Sequence, residues 1–111
     1  MKIDKNKFRS ELKTQGEKLN VISLRKAAEA YPQIRKLPFS IRILLENALR
    51  NLDNFLVNEK HVETLINWDP NGSDQPVPYK PARVLMQDFT GVPAVVDIAA
   101  IRSEAIRKGK D

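Results

Sequence analysis

The sequence contains no cysteine. Disulfides, a thiol nucleophile and a cysteine-ligated metal cluster are therefore excluded within this chain. Histidine occurs once, as His61. A structural zinc site draws on about four Cys or His ligands, so none can be assembled here. A Ser-His-Asp arrangement would have to run through His61, and nothing near it supports one. No apolar stretch approaches the roughly 20 residues of a membrane span. The opening Met1-Lys2-Ile3-Asp4-Lys5 is too charged for a signal peptide. The expectation is a cytoplasmic protein with no membrane partner.

What is present is ordinary. The chain has 111 residues, the size of one small domain, and a chain of this length buries roughly two-thirds of its unfolded surface. Hydrophobic residues make up 41% and charged residues 30%, which is the balance of a folded, soluble chain. The net charge of +5 permits weak, sequence-blind attraction to nucleic acid. That charge is dispersed, however. Lys2, Lys5, Lys7, Arg9, Lys13 and Lys18 alternate with Asp4, Glu11 and Glu17, as on a solvated face.

Residues 1–20 are polar with few apolar anchors and read as a peripheral lead-in. Residues 21–111 follow as one partial domain. Ser23 is an N-cap candidate for a helix over 23–31, which Pro32 ends. Ser40 is the next candidate, opening a helix over 40–52 in which Ile41, Leu44, Leu45, Ala48, Leu49 and Leu52 form one apolar stripe. Asn58 is placed to cap a third helix over 58–67, with Val62, Leu65 and Ile66 inward and His61 turned to solvent without a role. Residues 69–81 hold four prolines and a glycine and form a loop. The run Val84-Leu85-Met86 fits a buried parallel strand over 82–88. Pro93 suits the first turn of a helix over 93–108, and Gly109 its stop.

That ending is unfinished. A buried parallel strand needs neighbours on both sides, and the sequence offers no second convincing strand. Its partners are expected elsewhere, in further residues of a longer chain.

Two segments carry a family resemblance. Leu37-Pro-Phe-Ser-Ile-Arg-Ile-Leu-Leu-Glu46 is one, and Pro81-Ala-Arg-Val-Leu-Met-Gln-Asp-Phe-Thr-Gly-Val-Pro-Ala-Val-Val-Asp-Ile-Ala-Ala-Ile-Arg102 is the other, with Asn67-Trp68-Asp69 between them. Together they resemble the start of the aconitases, in the branch of cytosolic aconitase, iron regulatory protein and bacterial aconitase A. The resemblance implies an α/β fragment: three amino-terminal helices, then one strand and one helix from the start of an α/β/α domain. It also implies a hydro-lyase that interconverts citrate and isocitrate around a 4Fe-4S cluster held by three cysteines. None of those cysteines is in this chain, so the cluster would belong to the full-length enzyme.

One functional residue carries over. In the motif Gln87-Asp88-Phe89-Thr90-Gly91 the glutamine is the family's substrate contact, so the resemblance assigns Gln87 that role. Its position after an apolar run fits, because ligands of α/β folds gather at the carboxyl ends of strands. Its amide both donates to a carboxylate and accepts from a hydroxyl. Asp88 and Thr90 read as turn-pinning residues and Gly91 as a point of tight backbone approach. The helix that follows would turn its positive end toward an anionic substrate. The implied partners are the remainder of an aconitase chain and its tricarboxylate. A non-catalytic module that binds RNA or docks on an intact aconitase is the alternative. A self-sufficient, remodelled helical domain is a third reading.

Overall fold

The computed structural model describes residues 2–72 and 75–110. They divide into two compact units, Met1–Lys80 and Pro81–Asp111. Ser73 and Asp74, in the proline-rich loop, lie outside the described residues.

The first unit opens with a β-hairpin where the sequence suggests only a polar lead-in. Strands β1 (Arg9–Lys13) and β2 (Lys18–Ile22) pair antiparallel, with Arg9 opposite Ile22 and Lys13 opposite Lys18. The loop closes through the Thr14 N–H donating to the Glu17 carbonyl at 3.0 Å. Gly16 holds φ +106° there, a conformation that side chains resist. Most hairpin side chains are exposed, so the strands show no clear apolar alternation. What ties the segment down is Ile3 and Phe8, both buried. Phe8 meets Tyr31 edge to face with ring centroids 6.2 Å apart. The Ser23 N–H donates to the Phe8 carbonyl at 2.8 Å. Ile3, ahead of a short 3-10 turn (Lys5–Phe8), and Phe8, at its end, are the few apolar anchors of this polar segment.

Three helices complete this unit. Helix α1 (Leu24–Ala30) is capped by Ser23, whose Oγ accepts from the Lys26 N–H at 3.3 Å. Helix α2 (Phe39–Arg50) starts at Phe39, so Ser40 does not cap it. Pro38 holds the cap position instead, and its carbonyl accepts from the Arg42 N–H at 3.0 Å. Arg42 also donates from Nε to the Leu37 carbonyl at 2.8 Å and from Nη2 to the Arg35 carbonyl at 2.6 Å, tying the turn before α2 to its first turn. Helix α3 (Glu59–Ile66) follows a compact loop. Leu45, Ala48 and Leu49 of α2 pack with Val62, Leu65 and Ile66 of α3, and Leu52 and Val57 join the same core. Each such large side chain contributes about 1.5–3 kcal/mol on burial.

The second unit corrects the expected strand over 82–88. No strand forms among the described residues there. Val84, Leu85 and Met86 stand 64%, 88% and 53% exposed. The physical reason is that a strand exists only through its ladder, and the sole ladder among the described residues joins β1 to β2. Helix α4 (Asp88–Arg107) begins five residues before the expected position 93. The Gly91 N–H donates to the Gln87 carbonyl at 3.0 Å and closes a turn ahead of Pro93, which then sits inside the helix. At the other end Gly109, at φ +67°, ends the helix. Its N–H reaches the Ile106 carbonyl at 3.0 Å and that of Lys110 the Ala105 carbonyl at 2.9 Å, the Schellman pattern. Among the described residues no helix is long and apolar enough to cross a membrane.

Candidate functional site

Gln87 stands at the N-cap of α4 with φ −68° and ψ 154°. Its carbonyl is engaged by the Gly91 N–H. Its side chain makes no capping bond and is exposed. The amide carries both a donor, Nε2, and an acceptor, Oε1. The first turn of α4 adjoins it, and the leading N–H groups of a helix carry partial positive charge.

The neighbours named in the sequence are less informative. The side chains of Asp88 and Thr90 lie outside the described ones. Gly91 does not mark a tight approach: a Cβ built there meets no atom within 4 Å among the described residues.

In the first unit the polar side chains mostly serve the fold. His61, read as a bystander, is half of a capping box on α3. Its Nδ1 accepts from the Asn58 N–H at 3.2 Å, and Asn58 Oδ1 accepts from the His61 N–H at 3.2 Å. Histidine in the place usually taken by Glu or Gln hid that role. Asp53 organises the loop after α2. Its Oδ1 accepts from the Phe55 and Val57 N–H groups at 2.9 Å each, and its Oδ2 pairs with Lys80 Nζ at 2.9 Å. The Lys80 hydrogen bond foremost, then the two backbone N–H groups, hold its carboxyl well below the usual carboxylate range. The dipeptide Asp53-Asn54 was the available signal, since such pairs build turns.

A cleft of about 490 Å³ beside the end of α3 is lined by Lys60, Thr64, Asn67, Trp68 and Asp69 among others. Among the described residues no buried side-chain nitrogen or oxygen lacks a partner, and no cluster of His, Cys, Asp or Glu is grouped to hold a metal ion.

Comparison with known proteins gives the class that the two motifs imply: the sequence is similar to aconitase-like hydro-lyases. It is 45% identical over 109 residues to aconitate hydratase A of Francisella tularensis subsp. holarctica (strain LVS). The match takes in 96% of this chain and 12% of that relative, so the chain corresponds to a segment of aconitate hydratase. No family model matches the sequence. No solved structure matches it either.

Proposed function

We propose that this chain works as the amino-terminal part of an aconitate hydratase, the hydro-lyase that interconverts citrate and isocitrate through cis-aconitate, and that it is not catalytic alone. The observation that carries the reading is the 45% identity running through 96% of the chain. Gln87 is the residue this chain contributes to the substrate. Its Nε2 donates to a carboxylate and its Oε1 accepts from a hydroxyl, while the start of α4 favours the anion.

The iron-sulfur cluster that aconitases carry finds no ligands here, since the sequence has no cysteine. Its ligands belong to the rest of the enzyme. Removing water from citrate also needs a base for the proton, and no group among the described residues is arranged to supply one. The partner is the remainder of the aconitase chain, in the cytoplasm. Helix α4 supports this: Val92, Val95, Val96, Ile98, Ile101 and Ile106 are all exposed. A helix apolar on several sides belongs in an interior.

The purified 111 residues are expected to show no citrate-to-isocitrate turnover, and mixing them with the remainder of an aconitase is expected to restore it. Turnover by the chain alone, or full activity of the remainder without it, would overturn the reading.

A further inference from the structure

Two adjoining hollows lie in the first unit where α1, the 3-10 turn Pro32–Lys36 and the start of α2 meet. Their volumes are about 240 and 430 Å³, and they share Leu24 and Arg42. The floor is apolar. Leu24 packs against the core, whereas Phe39 and Ile43, one turn apart on α2, stand 81% and 62% exposed. The rim is basic. Arg25 and Arg35 are exposed, and neither has a carboxylate partner among the described residues. Arg42 is held in place: its guanidinium lies 5.2 Å from the Phe39 ring centroid, and its Nε and Nη2 donate to the Leu37 and Arg35 carbonyls. The carboxylate that lines the second hollow, Glu46, is already paired with Arg50 Nε at 3.1 Å.

Single exposed apolar side chains need no explanation. A joined apolar hollow edged by fixed and unpaired arginines is different, because aromatic and arginine side chains carry much of the binding energy at interfaces. We infer that this groove is an interaction surface, and that its occupant is an apolar segment bearing carboxylates, supplied by the remainder of the aconitate hydratase chain. This rests on reading the chain as the amino-terminal part of that enzyme. Two observations choose the occupant. The chain matches only 12% of its relative, so an enzyme of that length has ample further polypeptide to lie on the groove. Arginines whose nearest carboxylate is taken call for negative charge on whatever docks beside them.

The test compares the oxidation of Phe39 by hydroxyl radicals in this 111-residue chain and in the aconitate hydratase that carries it. Phe39 is expected to react about tenfold more slowly in the whole enzyme, since a docked surface excludes water from the groove. Joint Arg25→Glu and Arg35→Glu is expected to bring that rate at least halfway back to the rate in the isolated chain. The same change is expected to leave the melting temperature of the isolated chain within about 2 °C, as surface substitutions do. Ile43→Asp, at a second exposed position of the groove, is expected to act likewise. Equal oxidation of Phe39 in both samples overturns the proposal. So does protection that the charge reversals leave intact, which would mean a cover without carboxylates. Slow oxidation in the isolated chain also overturns it: the groove is then filled from within or, where dilution restores the rate, by a second copy. Citrate turnover by the isolated chain would overturn the underlying reading, and this partner with it. An inactive chain with equal oxidation in both samples overturns the groove alone.

Discussion

Asp53 shows how one carboxylate serves two elements. One oxygen closes the loop after α2 and the other meets Lys80. Because its carboxyl titrates below the usual range, the stability it contributes is fully present above the unfolded value of about 3.9 and is lost as pH falls toward the folded one. Asp53→Asn is therefore expected to lower the urea midpoint at neutral pH and to flatten its decline below about pH 4; identical curves for the two proteins would refute this. His61 makes a different point. His61→Ala removes the acceptor for the Asn58 N–H and is expected to cost about 0.5–1 kcal/mol. His61→Gln restores an acceptor at the same place and is expected to recover most of that loss, measured by urea unfolding. The Ser23 and Asn58 caps were legible because a cap is a local pairing within three residues. The roles of Asp53 toward Lys80 and of the buried Asn47, whose Nδ2 donates to the Lys80 carbonyl at 2.8 Å, were not, since their partners lie 27 and 33 residues away.

Among the elements, α2 and α3 follow directly from apolar residues at three- and four-residue steps. The hairpin does not. In Arg9–Lys13 and Lys18–Ile22 the directly opposed apolar pair is Leu12 with Leu19, and both are exposed. An isolated two-stranded hairpin is marginal in water, so its stability draws on Phe8 edge-on to Tyr31, the bond to Ser23, Lys26 Nζ on the Arg9 carbonyl at 2.8 Å and Ile22 against the core. Phe8→Ala is expected to destabilise the first unit by about 3–5 kcal/mol and to lose exchange protection first in the hairpin amides. At the end of α4, Gly109→Ala puts a side chain at φ +67°. A local cost of about 1–2 kcal/mol is expected, seen as faster exchange at Lys108 to Lys110 with the first unit unaffected.

At the scale of the whole molecule the core is one-sided. The buried hydrophobic residues among those described run from Ile3 to Ile66, all within the first unit. Residues 1–80 are therefore expected to unfold cooperatively by themselves, at a temperature within a few degrees of the whole chain; loss of the sigmoidal transition on removing residues 81–111 would contradict this. Gln87, by contrast, sits in the second unit, where no buried hydrophobic residue is found among those described, and the role proposed for it rests on the motif it belongs to. The sequence by itself determined the three helices of the first unit and several of the caps, because periodicity and capping act between near neighbours. It also ruled out thiol chemistry, because a missing residue type needs no geometry. Only the tertiary structure decided that the lead-in is a docked hairpin, that Val84 to Met86 form no strand, and that a buried asparagine clasps Lys80. Each of these depends on a partner many residues away, and only the folded chain brings such groups together or leaves them apart.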